Sequence, residues 1–369
     1  MTGRIDRFLY QKEKSLGLKI LLLPLDFLSI LYGWALRLRG ILHSCNLLNS
    51  KQLPCPVISV GNITVGGTGK TPLVIALAKG LRERGISVAI LSRGYRGKKT
   101  SGAIVSDGQT IFLSPEDAGD EPYLMALRLK ETPVLIGKDR CATGRIALKR
   151  YPVQGILLDD GFQHLQLHRD LNILLVDSTI GFGDHHILPR GILREPLAHL
   201  RRADLFILTK IENPESCQSL KDLIQKIHPS APVFHSHYEP TGLIGPNGEW
   251  EALDSFRGKK VLAFSGIANP SPFRSLLKKC GMKVIKESIF PDHHPYTKED
   301  LASLEKKREG TDWMVTTEKD LVRLTTLEIG RLPIRALRIE MKIWEETLFE
   351  EVMRVFKGDE GDESSRKNL

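Results

Sequence analysis

The sequence predicts an α/β protein: a parallel-sheet domain built round a phosphate-binding P-loop, with a membrane-associated helix before it and a second, smaller α/β domain after it. Three observations predict this. The apolar run Val57-Ile58-Ser59-Val60 ends in Gly61-Asn62 and passes through Gly66, Gly67 and Gly69 into Lys70-Thr71. From residue 56 to about 228 apolar runs of strand length alternate with helical patterns, and the alternation resumes after 260. Near the start, the run 20–36 carries a single charge, Asp26.

At 369 residues the chain is long enough for two domains. Apolar residues at 41% and charged residues at 26% are ordinary for a folded protein. A formal charge of +9 permits nucleic acid, an anionic membrane surface or a phosphorylated substrate, and selects none of them. Cys45, Cys55, Cys141, Cys217 and Cys280 are scattered, with no CxxC pair. That argues against a disulfide framework and a zinc site, and suits a reducing cytosol.

Residues 1–50 read as a helical, membrane-associated segment. Arg4, Arg7, Lys12, Lys14, Lys19, Arg37 and Arg39 stand against Asp6, Glu13 and Asp26. As a helix the apolar run would be ~25 Å long, short of the ~30 Å hydrocarbon core. Asp26 and Pro24 disfavour central burial in lipid, and no small-residue cleavage site follows, so a signal peptide is not expected. Three readings stand: an interfacial helix with basic flanks, which is favoured, a tilted span, and a core helix of a soluble domain. Tyr32 and Trp34 suit an interface and a core equally.

The P-loop domain is placed at 51–235. Glycines let the backbone approach phosphates, and a new helix aims unpaired N–H groups and its positive dipole end at them. Thr64, Val65, Gly66, Gly67, Thr68, Gly69, Lys70 and Thr71 would bind the nucleotide, Lys70 reaching the β/γ-phosphates and Thr71 holding Mg²⁺. The match is irregular, because the first glycine of GxxxxGK[ST] falls at Thr64. Strands are expected at 57–60, 88–92, 134–136, 155–158, 171–176 and 205–209, and helices at 71–84, 121–129, 140–150 and 217–228. Continuous apolar strands fit a parallel sheet covered on both faces, with ligand chemistry at the strands' carboxyl ends.

A Gly/Pro-rich hinge or hairpin is expected about 236–258, within a smaller α/β domain at 236–357. Its strands are expected at 260–264, 283–288, 313–316 and 334–339, and its helices at 272–280, 298–307 and 344–356. The polar stretch 358–369 reads as a disordered tail.

Candidate chemistry follows the strands. Asp159-Asp160 ends an apolar run as a Walker B acid would, to bind Mg²⁺ directly or through water. Asp120 and Glu121 open a helix; they are caps, or one is a general base for a hydroxyl or a metal ligand. Arg93, Tyr95 and Arg96 follow the second strand and would neutralise phosphate, or form a solvated turn. In 181–196, Arg194 would clamp phosphate and Glu195 would hold Mg²⁺. The Asp184-His185-His186 and Asp292-His293-His294 triplets lack metal-site spacing, and one histidine bonded to a carboxylate is the better reading.

Two P-loop classes compete. A membrane-switch ATPase carries a signature lysine before the paired glycines, where this chain has Val65; a GTPase carries N-K-x-D, where this chain has Thr209-Lys210-Ile211-Glu212. ATP is favoured. The ordered motifs S-V-G-N-I-T-V-G-G-T-G-K-T-P (59–72), S-R-G-Y-R-G (92–97), G-D-E-P (119–122), D-D-G-F-Q-H (159–164), L-P-R-G-I-L-R-E-P (188–196), A-F-S-G-I-A-N-P (263–270), F-P-D-H-H (290–294) and T-T-E-K-D (316–320) resemble the tetraacyldisaccharide 4′-kinase family of lipid A biosynthesis, from about residue 10 to 340.

That resemblance implies a two-domain kinase on the cytoplasmic face of the inner membrane. It would move the γ-phosphate of ATP to the 4′-hydroxyl of an acylated disaccharide 1-phosphate, giving lipid IV-A. Mg²⁺ is implied, nucleic acid and an obligate protein partner are not. The family's base falls on Asp120 and its partner histidine on His293, with Thr71, Asp159, Asp160 and Glu195 as metal contacts. Arg93, Tyr95, Glu121 and Arg194 would meet phosphate or substrate. The alternative in another class is a nucleotide-gated membrane switch. Asp184-His185-His186 departs from the N-G-x turn expected of the family.

Overall fold

A computed structural model describes residues 16–357, apart from 46, 48, 49, 100, 101, 326, 328, 330 and 331. The basic residues before Leu16 and the expected tail lie outside the described residues.

Helix α1 (Leu16–Ser44) is longer than the apolar run that announced it. One face docks on the body: Ser29 and Gly33, a turn apart, meet the loop near Ile187. The Ser29 hydroxyl donates to the Ile187 carbonyl at 2.8 Å and accepts from the Arg190 backbone N–H at 3.0 Å. Asp26 pairs with Arg190 Nε at 2.9 Å, so the lone charge in the run has a protein partner. The opposite face leaves Leu23, Phe27, Ile30, Leu31, Trp34, Leu38 and Ile41 exposed. Among the described residues no helix is long and apolar enough to cross a membrane.

The P-loop unit then winds β1 (Val57–Gly61), α2 (Lys70–Glu83), β2 (Val88–Ser92), β3 (Ala103–Ser106), α3 (Pro115–Ala118), α4 (Asp120–Arg128), β4 (Val134–Ile136), α5 (Arg140–Arg150), β5 (Gly155–Asp159), β6 (Leu171–Asp177), β7 (Leu205–Thr209) and α6 (Gln218–Ile227). The strand order is β3-β4-β2-β5-β1-β6-β7, parallel except for the edge strand β3. Every residue of β1, β2 and β5 is buried, as continuous apolar runs between two helical layers require. The order β2-β5-β1 sets three carboxyl ends side by side, and with them the 93–97 loop, Asp159-Asp160 and the P-loop.

Strand β8 (Val233–Ile244) joins the units. Its first residues pair in parallel with β7, and from Ser236 onward it pairs antiparallel with β13 (Ile334–Ile343). The stretch read as a hinge is therefore half strand, and the rest is a hairpin to β9 (Trp250–Glu251). Pro240 is tolerated because the register slips opposite it, between Arg338 and Ile339. Between β9 and β13 come β10 (Lys260–Ser265), α7 (Ser271–Lys279), β11 (Lys283–Ile289), α8 (Lys298–Lys307), β12 (Trp313–Thr317) and α9 (Glu318–Leu324). One sheet continues as β8-β13-β12-β10-β11. Helix α10 (Thr347–Lys357) then returns to the P-loop unit, burying Leu348 and Val352 in its core, with Phe349 against Gly80 and Phe356 against Gly155.

Candidate active site

The P-loop is shaped by two left-handed glycines, Gly66 (φ +104°) and Gly69 (φ +96°). Gly69 is doubly constrained, since a Cβ there would lie 2.5 Å from the Tyr238 hydroxyl. It precedes α2 without a side-chain cap, which leaves the helix's first N–H groups for an anion. Thr64 needs no glycine: it forms an antiparallel bridge with Leu193, and Val65 N–H donates to the Ile192 carbonyl at 2.8 Å. The irregularity in the motif is thus an extended residue ahead of the turn. Asn62, buried at the end of β1, ties the loop: its amide donates to the Thr64 carbonyl at 2.8 Å, and its Oδ1 accepts from Lys70 at 3.1 Å. The Thr68 carbonyl accepts from the Thr209 hydroxyl at 2.9 Å.

Asp159 ends β5, fully buried. One oxygen accepts from Ser92 Oγ at 2.9 Å, and the other has no hydrogen-bond partner. Desolvation, with the charges of Glu121 and Asp160, pushes its carboxyl up to about 7. Asp160 takes a left-handed backbone (φ +52°) that turns it to Lys70 at 3.4 Å and Arg194 at 3.1 Å. Burial raises its carboxyl, but those cations outweigh it and hold it below the usual range. Thr71 is buried at the start of α2. The buried orphan oxygen of Asp159, with Asp160 beside it and Thr71 at the start of α2, fits Mg²⁺ held by one or two carboxylates, water and phosphate.

Glu195 is buried, and its Oε2 accepts from His199 Nδ1 at 2.6 Å and from Arg202, which lies over the Phe162 ring. Burial would raise its carboxyl, but His199 and Arg202 outweigh it and hold it below the usual range. Arg194 clamps Asp160. Arg93 and Tyr95 stay exposed, Tyr95 edge-on to the His293 ring at 6.1 Å. Arg140, which sequence reasoning missed, opens α5 buried near Asp159 and Asp160; desolvation lowers it to about 10.

Asp120 is not the cap of α4. Gly119 occupies that position with φ +89°, leaving the Asp120 carboxylate to face the second unit. Its Oδ2 accepts from His293 Nδ1 at 2.8 Å, and from Arg323 Nε and Nη2 at 2.9 and 2.6 Å. Burial opposes ionisation, but these partners outweigh it and hold the carboxyl well below the usual range. Glu121 pairs with Lys319, whose charge, against burial, lowers the carboxyl. The two acids therefore meet different cations of the same helix, α9. His293, at φ +58°, follows β11, while its neighbour His294 stacks on Phe290 and pairs with Asp300 at 2.8 Å. One histidine of the pair serves the site and the other the loop.

The 184–186 triplet belongs elsewhere. Asp184 pairs with Arg190 at 3.1 Å, and His186 approaches Asp26 of α1 at 3.7 Å. Beside the P-loop a cavity of about 1850 Å³ opens between the units, lined by Gly66, Gly69, Thr71, Tyr238, Asp292 and Lys319. Lys319 and Arg323 went unread because 318–324 carries too short a helical pattern to register; the T-T-E-K-D motif (316–320) holds Lys319 but stops short of Arg323.

The family model for tetraacyldisaccharide-1-P 4′-kinase matches residues 18–357. A tetraacyldisaccharide 4′-kinase of Syntrophus aciditrophicus is 42% identical over 343 residues, covering 90% of this chain and 92% of that relative. One of Desulfatibacillum aliphaticivorans is 39% identical over 354 residues, covering 93% and 94%. Among solved structures, the "apo" form of LpxK from Aquifex aeolicus in complex with ATP superposes with a TM-score of 0.74 at 38% identity, covering 92% of this chain and 99% of that one.

Proposed function

The chain belongs to the tetraacyldisaccharide-1-P 4′-kinase family, and on that premise we propose how its residues carry the reaction. It is a lipid A kinase: it uses ATP with Mg²⁺ to phosphorylate the 4′-hydroxyl of tetraacyldisaccharide 1-phosphate. The assignment of roles is our reading, and the single observation that carries it is the hydrogen bond by which Asp120 of the P-loop unit meets His293 of the second unit.

The phosphates would lie on the open N–H groups of α2, with Lys70 moving from Asn62 and Asp160 onto the β/γ-phosphates. Thr71, Asp159 and Asp160 would hold Mg²⁺, which supplies charge neutralisation on the phosphate oxygens. Arg93 and Tyr95, exposed beside His293, would meet the substrate.

Asp120 would be the general base, with Oδ1 towards the 4′-hydroxyl. A carboxylate held so low is a weak base towards an alcohol. Phosphoryl transfer through a loose transition state asks for little more, because the hydroxyl becomes acidic only as its oxygen bonds phosphorus. The O–P bond forms, the β–γ bridge breaks to release ADP, and the proton passes to Asp120. His293 would orient the carboxylate.

We also read 51–235 and 236–357 as the working units, and the exposed face of α1 as lying on the cytosolic face of the inner membrane. Four acyl chains cannot leave a bilayer cheaply at about 0.8 kcal/mol per CH₂. The test is radiolabelled ATP with the acylated disaccharide and lipid chromatography. Asp120→Ala should lose turnover by about 100-fold or more while still binding ATP; near-normal turnover would sink the base assignment.

A further inference from the structure

The T-T-E-K-D motif has no part in the roles assigned so far, yet it opens the helix that faces the catalytic carboxylate. Asp320 in that motif is fully buried, and its oxygens are all engaged. Oδ1 accepts from the Gly266 N–H at 3.0 Å, the Tyr296 hydroxyl at 3.1 Å and Arg323 Nη1 at 2.9 Å, and Oδ2 accepts from the Thr317 hydroxyl at 2.6 Å. Arg323 Nη1 also donates to the Gly266 carbonyl at 2.9 Å, and that same carbonyl accepts from the His293 N–H at 3.0 Å. One end of the guanidinium is therefore held by Asp320 and by the Gly266 carbonyl, which also takes the His293 N–H. The other end, Nε and Nη2, forks onto a single oxygen of Asp120.

We propose that Arg323 is a positioning residue for the phosphoryl transfer: anchored by Asp320 and Gly266, it locks Asp120 Oδ2 so that Oδ1 alone is presented to the acceptor hydroxyl. This rests on the reading of Asp120 as the base. A fork has the geometry for the task. Two N–H bonds converging on one oxygen hold Oδ2 in place more firmly than a single donor would, and the fixed charge keeps the group ionised. A histidine on the same oxygen, at 2.8 Å, completes the clamp. Arg323 touches neither nucleotide nor acceptor in this scheme and acts through Asp120.

The charged groups around Asp120 are His293 and Asp292 from the loop after β11, Lys319, Asp320 and Arg323 from α9, Glu121 on its own helix, and Arg96, which donates to the His293 carbonyl at 3.3 Å. Arg323 is the fixed cation among them in direct contact with the carboxylate, beside the His293 imidazole. The two lower the Asp120 carboxyl against its burial. Removing Arg323 should let that carboxyl rise.

The experiment uses the full chain, the acylated disaccharide and radiolabelled ATP, with kcat measured from pH 5 to 9. Arg323→Met should lose about 10- to 100-fold in kcat at neutral pH, with the KM for ATP within about twofold, and should gain an acid limb that the parent, its Asp120 ionised throughout this range, does not show. Arg323→Lys should suppress that limb while recovering only part of kcat. A uniform loss at every pH, or Arg323→Met at full rate, would overturn the proposal. The base reading is checked apart by Asp120→Asn: an inactive Asp120→Asn beside a fully active Arg323→Met removes only the positioning role. An active Asp120→Asn removes the base and the positioning role together. In the Asp120→Asn background, Arg323→Met should add nothing.

Discussion

Asp159 shows how much one side chain states about its site. A buried carboxylate whose second oxygen has no donor is costly unless a cation or its water arrives, and the neighbouring acids make it costlier. Asp159→Asn keeps the volume and removes the charge, so it should lose about 100-fold in kcat and need more Mg²⁺ for half-saturation. A rate measured against total Mg²⁺ at saturating ATP checks this; an unchanged Mg²⁺ curve would separate Asp159 from the metal. Lys70 and Asp159 sit in strand-end and helix-start motifs whose chemistry is local, whereas spacing leaves Asp120 between a cap and a base, and only the family's motifs couple it to His293. The surroundings of Glu195 were not legible in the same way: Arg194 beside it turns to Asp160, while Glu195 Oε2 meets His199 and Arg202, because successive side chains of a non-helical segment diverge.

Helix α1 separates its two faces cleanly. Asp26, Ser29 and Gly33 hold the body, while Phe27, Leu31 and Trp34, at four- and three-residue steps, form an exposed apolar stripe. If that stripe meets lipid, Phe27→Ser, Leu31→Ser and Trp34→Ser together should leave the protein in the supernatant when liposomes of anionic phospholipid are sedimented. Detergent-dispersed substrate should still be phosphorylated within about threefold of the original rate, because the docking face is untouched. A variant that sediments like the parent would move the membrane contact elsewhere. The sequence could place the helix but not its faces, because every side of the run is apolar and only the loop near Ile187 decides which side is covered. Strand β8 was unreadable for a related reason. His235, His237 and Glu239 interrupt its apolar pattern, and its two halves pair with different strands in opposite senses, so no single period runs through it.

Across the whole molecule, the proposed catalytic pair, Asp120 and His293, depends on a seam between segments that lie far apart in the chain. Helix α9 faces α4 through three ion pairs: Glu318 with Arg128 at 2.6 Å, Lys319 with Glu121, and Arg323 with Asp120. Patterns of period two or 3.6 announce elements, and that much of the fold was visible, but nothing local says that residue 128 meets residue 318. Only the continuous sheet through β8 and the return of α10 onto α2 set that register. The Arg128–Glu318 pair tests the seam away from the reacting groups. Both side chains are almost fully buried, Arg128 also donating to the Ile339 carbonyl at 3.2 Å and Glu318 accepting from Arg338 at 3.0 Å. Arg128→Met leaves the buried Glu318 carboxylate with Arg338 as its remaining cation and should cost about 2 kcal/mol in urea unfolding. Glu318→Gln leaves Arg128 with Glu340 at 3.6 Å and the Ile339 carbonyl, and should cost a similar amount. The double variant leaves neither charge uncompensated, so its loss should fall well short of the sum. Strict additivity would mean that the two side chains do not act together, and that the units are held in register by the sheet and α10 alone.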